Sequence, residues 1–184
     1  MASELVERAQ RGDHEAFDAL ATAAYNRLYA VARRILRDGY AAEDAVQETL
    51  VRAWRELRSL RDVERFDAWL HRLLVNACKD EVRRLRRRPF EVPVLAIDQP
   101  SVEDQLSQLA DRDELERAFL RLTVEQRAAL VLTHYLGLSA GEVGGILGIP
   151  VGTVYSRLHY GAHAMRDAIA YASERPATSS EAER

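Results

Sequence analysis

Apolar residues recur every three or four positions along almost the whole chain, and that periodicity constrains the fold more than any other feature. Phe17, Leu20, Ala24, Leu28, Val31 and Ile35 keep helical spacing through the first long stretch. Val46, Leu50, Ala53, Trp54 and Leu57 mark a second face, and Phe66, Leu70, Leu73, Leu74, Ala77, Val82 and Leu85 a third. No segment sustains the alternation of a half-buried strand, so the expected fold class is all-α. Hydrophobic residues make up 47% of the 184, enough to bury a core.

Prolines divide the chain. Pro89, Pro93 and Pro100 fall within twelve residues and cannot sit inside helices. Periodicity resumes near Asp111 with Leu115, Phe119 and Leu122. The expected organisation is therefore an N-terminal helical domain at 1–88, a linker at 89–110, a smaller helical domain at 111–173 and a disordered tail at 174–184. Charge follows the same division. Residues 1–89 carry a net +3, and residues 90–116 hold eight acids against one base, Arg112. From 117 onward the balance is +1. A whole-chain charge of −3 is not that of a protein holding nucleic acid by bulk attraction.

Several classes fall away. A single cysteine, Cys78, permits neither an intramolecular disulfide nor a multi-cysteine zinc site. Among Leu74, Ala77 and Val82 it reads as a small core residue. The start, MASELVERAQRGD, has no apolar run of signal-peptide length, and no stretch reaches the roughly 18 apolar residues of a membrane helix. The expected setting is the cytoplasm. The five histidines are scattered. Only His159 and His163 share helical spacing, and the pair is expected to lack a carboxylate or third ligand. With no glycine-rich phosphate loop, the chain reads as a non-enzyme without metal or cofactor.

Two segments suggest binding. In SAGEVGGILGIPVGTVYSRLHYGAHAMRDAI, Ser139 and Glu142 form a capping box, as Thr123 and Gln126 do upstream. Gly148 suits a tight turn and Pro150 the start of the next helix. Val143, Ile146, Leu147, Val154 and Leu158 supply the apolar side, and Ile149 plugs the angle between the helices. Thr153, Ser156, Arg157, His159 and Tyr160 remain for a major groove to meet. The pattern is a helix-turn-helix; an ordinary helical hairpin is the alternative. Gly144 and Gly145 sit mid-helix, and only the first has an evident use, in close helix approach.

In AAEDAVQETLVRAW, Asp44, Gln47, Glu48, Val51 and Arg55 lie opposite the apolar stripe as a solvated face or a partner's footing. In RFDAWLHRLLVNACKDEVRRLRRR, Arg72, Asn76, Lys79 and Arg83 form one basic stripe, with Trp69 as a possible stacking surface for unpaired bases. Trp69 is equally compatible with the core. The arginines of 83–88 suit phosphates or a helix C-terminus.

These motifs, in this order, resemble the bacterial RNA polymerase sigma factors of the extracytoplasmic-function (ECF) type over about 10–172. AEDAVQETLVRAW resembles the family's core-binding helix, FDAWLHRLLVNACKDEVRRLRRR its promoter-reading helix, and RLTVEQRAALVLTHYLGLSAGEVGGILGIPVGTVYSRLH its fourth region. The resemblance implies that Asp44, Gln47, Glu48, Leu50 and Arg52 grip the clamp helices of core RNA polymerase. It implies that the loop Leu60, Arg61, Asp62, Val63, Glu64 and Arg65 captures a flipped −10 base. Trp69, Arg72, Asn76 and Lys79 would contact the opening strand, and the helix after Pro150 would read the −35 element of promoter DNA. The acidic linker would thread toward the RNA channel, and an anti-sigma factor would cover the polymerase-binding surfaces. One departure stands out: Tyr155, Tyr160 and His163 occupy positions where the family usually carries bases, which weakens the phosphate term. The competing function is a free-standing helix-turn-helix regulator with an N-terminal sensing or dimerisation domain.

Overall fold

A computed structural model describes residues 2–87 and 116–174, and among them every regular element is helical. The expected linker, and the tail beyond Glu174, lie outside the described residues.

The N-terminal half is built from α1 (Ala2–Gln10), α2 (His14–Leu36), α3 (Gly39–Glu56) and α4 (Phe66–Arg87). Each junction has a local chemical cause. Asp13 caps α2 by accepting from the Ala16 amide at 3.0 Å, and Asp38 caps α3 by accepting from Ala41 at 3.0 Å. Between them Arg37 takes a left-handed φ of 60°, closing α2 with a bond from its amide to the Arg33 carbonyl at 2.9 Å. Leu28, Val31, Ile35, Val46, Leu70 and Leu74 are almost wholly buried where α2, α3 and α4 meet. Each such leucine contributes about 1.5–3 kcal/mol by leaving water. Leu85 is the exception to the apolar reading of α4: it is exposed near the helix end.

The C-terminal half opens with a helical segment at 116–121. Next comes α5 (Val124–Leu130), which widens into a π turn over Val131–Tyr135. Then come α6 (Ala140–Leu147) and α7 (Val151–Glu174). Both expected capping boxes form, with side chain and backbone paired reciprocally at Thr123/Gln126 and Ser139/Glu142. Gly148 turns the chain at φ 66°, as the turn requires. At Gly144 a β-carbon would stand 2.9 Å from the Ile149 carbonyl oxygen, so the turn folds back where only glycine fits.

The two halves pack together. Val124, Ala128, Val131, Leu132, Val143, Ile146 and Val154 belong to the same hydrophobic cluster as the α2–α4 core. At the seam, Arg37 pairs with Glu116, and the Arg34 guanidinium lies 3.7 Å over the Tyr135 ring.

Candidate nucleic-acid interface

On α3, Ala42, Ala45, Val46 and Ala53 face the core, and the buried Thr49 hydroxyl donates to the Ala45 carbonyl at 2.6 Å. The 3.6-residue period then turns Asp44, Gln47, Glu48 and Val51 outward together. Leu50, grouped with them by resemblance, instead leans partly buried against the core. Arg52 lies between the two sets. It pairs with Glu48 at 2.6 Å and with Asp80 of α4 at 3.1 Å. Arg84 joins Asp44 at 2.6 Å to Glu81 at 2.8 Å. Hydrogen bonding to Glu48 raises the Arg52 pKa above its ordinary value, and bonding to Glu81 and Asp44 does the same for Arg84. The acids of α3 are thus held in place by cations rooted in or bridged to α4.

Between α3 and α4 the loop makes two short 3-10 turns, Leu57–Ser59 and Val63–Arg65. Asp62 holds the second turn: one carboxylate oxygen accepts from the Glu64 amide at 3.1 Å and the other meets Arg65 at 3.2 Å. Leu60 and Val63 pack inward, leaving Arg61, Asp62, Glu64 and Arg65 exposed.

The α4 stripe is divided. Arg72 and Asn76 are exposed, whereas Trp69 is partly buried, its ring 6.0 Å from Phe66 and tilted by 39°. That places Trp69 at the edge of the core with only part of its face available. Lys79 is partly buried, and burial pushes its amine below the ordinary range. Glu125 opposes that push, while Arg157 and Arg83 add to it. The basic stripe therefore turns toward the C-terminal half.

Pro150 starts α7 as expected, its carbonyl accepting from Thr153 at 2.9 Å and Val154 at 3.2 Å. Val154 is fully buried. Tyr155 and Tyr160 stand 62% and 65% exposed, with the His159 ring 5.8 Å from Tyr160. Thr153 is partly buried, and the Ser156 hydroxyl donates back to the Gly152 carbonyl at 3.0 Å. Arg157 departs from the expected outward face: it is partly buried, with Nη1 out of water and unpartnered. The exposed face of the helix thus presents aromatic rings and a hydroxyl more than charge.

Two residues of α5 were missed by the sequence reading. Glu125 favours the charged form of Lys79 on α4, and Arg127 is 7% exposed with an unpartnered Nε. Burial lowers the Arg127 pKa. Its position in the stripe Val124, Arg127, Ala128, Val131 was the available signal, since a charge on an apolar face marks a contact with another element. Cys78 itself is buried, which pushes its thiol up to about 12 and leaves it inert as a nucleophile. Contrary to expectation, a carboxylate does stand beside the histidine pair: Asp167 lies 2.7 Å from His163 Nδ1, one helical turn on. Even so, no cluster of three His, Cys, Asp or Glu suited to a metal occurs among the described residues, and no described helix is long and apolar enough to cross a membrane.

Comparison with known proteins gives this geometry a family context. Residues 20–88 match Sigma-70 region 2, and residues 112–161 match Sigma-70, region 4. The chain is 37% identical over 155 residues to the ECF RNA polymerase sigma factor SigM of Mycobacterium tuberculosis, covering 84% of this chain and 78% of SigM. Among solved structures it is similar to CnrH in complex with the cytosolic domain of CnrY. The TM-score is 0.66 and the identity 26%, over 92% of this chain and 97% of that one. The sigma factor RpoE, solved with the anti-sigma factor NepR from Bartonella quintana, shares the fold at TM-score 0.61 and 23% identity, over 86% and 98% of the two chains.

Proposed function

The chain belongs to the ECF RNA polymerase sigma factors, the promoter-specificity subunits of bacterial RNA polymerase, and on that premise we propose how its surfaces divide the work. The face of Asp44, Gln47 and Glu48, with Arg52 as brace and Leu50 behind it, binds the clamp helices of the core enzyme. The loop Leu60–Arg65 captures a base of the −10 element, and Trp69, Arg72, Asn76 and Lys79 follow the opened strand. Helix α7 reads the −35 element through Thr153, Tyr155, Ser156, Arg157, His159 and Tyr160. The acidic stretch 90–116 suits a basic RNA path from which a transcript displaces it. The protein performs no chemistry of its own, acts in the cytoplasm, and uses binding energy alone.

One observation carries this reading. The α4 stripe meets the C-terminal half at the seam: α4 packs against α5 and α6, an Arg72 guanidinium nitrogen lies 3.9 Å from where a β-carbon of Gly148 would stand, and Lys79 and Arg157 are both partly buried. A −10 stripe partly covered by the half that carries the recognition helix supports a subunit that grips promoters only after its halves are spread on a larger body. Once spread, two weak modules add through the linker. The free-standing regulator has no such observation in its favour. An anti-sigma factor that keeps the halves together fits the same geometry, and the similar protein CnrH was itself solved with a protein partner.

Run-off transcription from a genomic fragment library with purified core polymerase tests the proposal. Discrete start sites with shared upstream elements are expected only when the protein is added. Core enzyme that initiates identically with and without it contradicts the reading.

A further inference from the structure

Helix α1 precedes residue 20, where the match to Sigma-70 region 2 begins, and none of its residues belongs to the proposed polymerase or DNA contacts. It is nonetheless anchored firmly. Val6 and Ala9 are buried against α2, and Arg8 ties the helix end to the cap residue Asp13 at 2.6 Å. From this fixed base Gln10 reaches the loop between α3 and α4. Its Nε2 donates to the Leu57 carbonyl at 3.0 Å and to the Leu60 carbonyl at 2.7 Å. The orientation of the amide is not arbitrary, because a flipped side chain would set its oxygen against two carbonyl oxygens. Leu57 O also accepts from the Leu60 amide at 3.1 Å, so one side chain binds both ends of the same turn. At the other end of α1 the Ser3 hydroxyl donates to Glu64 at 2.7 Å.

We infer that α1 is the positioning element of the base-capture loop, with Gln10 as the positioning residue. The inference rests on the proposed role of residues 60–65. A loop that captures a base discriminates only if its backbone is already in place when the base arrives. A mobile loop would spend part of its binding energy on ordering itself and would fit several bases comparably. The loop has no regular helix of its own beyond two short turns, and its exposed tip, Arg61 and Asp62, sits between the two points that α1 holds. Gln10 touches the loop backbone and no reading side chain. Its effect is therefore on selectivity among bases rather than on the identity of the contact.

The test uses holoenzyme assembled from core polymerase and the full chain, on a promoter obtained by library run-off with every −10 position changed in turn to the other bases. Opening is read by permanganate reactivity. Gln10→Leu removes both donors, and Gln10→Lys restores a donor with longer reach. The expected result for Gln10→Leu is a fall of about tenfold in the preferred-to-disfavoured base ratio at one −10 position, from two hydrogen bonds lost. Affinity for core is expected to stay unchanged, and Gln10→Lys to recover most of the ratio. An unchanged ratio in Gln10→Leu overturns the inference, as does a uniform loss on every template that tracks a lower melting temperature. Arg61→Ala and Asp62→Ala separate the two levels of the argument. If they alter the ratio and Gln10→Leu does not, only this inference fails. If none of the three alters it at any position, the loop is not the base reader and the proposed reading fails with it.

Discussion

The α3 face and the recognition helix α7 are both expected to bind large partners, yet they are prepared in opposite ways. On α3, Asp44 and Glu48 are already paired, through Arg84 and Arg52, in a network that reaches Asp80 and Glu81 of α4. On the candidate face of α7 the exposed groups are Tyr155, Ser156, His159 and Tyr160, while the nearest cation, Arg157, is partly buried. A pre-paired charged face is rigid, because each acid is held at a fixed place before contact. An aromatic face lacks the counterion release that gives nucleic-acid binding most of its free energy. The first suits a permanent surface on the polymerase. The second suits a DNA contact that succeeds only when something else supplies proximity.

The largest effect expected on this contrast comes from Glu48→Arg, which sets like charge against Arg52 and reverses the face. Affinity for core polymerase should fall on the order of a hundredfold in a competition assay, with the folded helix content unchanged. A loss under threefold would break the contrast on the α3 side. Next is Gly144→Ala. Its β-carbon meets the Ile149 carbonyl at 2.9 Å, so α6 must shift from the turn at a cost of about 1–3 kcal/mol. Recognition of −35 DNA by holoenzyme should drop while core affinity holds, and equal losses of both would contradict the separation. Third, Tyr155→Arg adds a cation to the exposed face of α7. It should tighten −35 binding several-fold and steepen the log–log salt slope by about 0.9, the value for one phosphate. A slope that does not move would show that α7 does not meet the backbone there.

A smaller effect concerns α4, which braces the α3 face and packs against the C-terminal half. Its buried His71 has Nδ1 2.8 Å from the Asp67 carbonyl and an Nε2 with no partner. A proton on Nε2 would sit buried and unmatched, and burial accordingly lowers the His71 pKa below its ordinary 6.5. The unfolded chain then binds the proton first. Stability is therefore complete above about pH 6.5 and declines as pH falls toward the folded value. Thermal melts at pH 7.5 and 5.0 should show this decline, and His71→Leu should lessen it; an undiminished decline in that variant would place its source elsewhere. The smallest effect is at Gly145, where nothing lies within 4 Å of an added β-carbon. Gly145→Ala should raise stability by up to about 1 kcal/mol. No change or a loss, read in the same melts, would give that glycine a purpose the structure does not reveal.

Local rules made much of this legible in advance. Thr123, Ser139, Gly148 and Pro150 each act within a turn of their own position, so spacing was enough to place α5, α6 and α7. The outward set Asp44, Gln47 and Glu48 followed from helical period alone. What escaped was whatever depends on two distant segments meeting. Helical period places Arg157 beside Ser156 and so outward, and only the packing of α7 against α5 and α6 could reveal that it is partly buried. Gln10 reads as an ordinary polar helix end, since its two acceptors lie 47 and 50 residues away. Trp69 reads equally as core or stacking surface from its spacing, and it is partly buried, with its ring against Phe66.

Fluorescence anisotropy of one labelled promoter fragment carrying both elements, titrated with the protein alone and then with the protein plus core polymerase, addresses the whole account at once. Weak, sequence-indifferent association is predicted for the lone subunit, and tight binding that depends on both elements once core is present. Tight, element-specific capture of the duplex by the unaccompanied protein would contradict it.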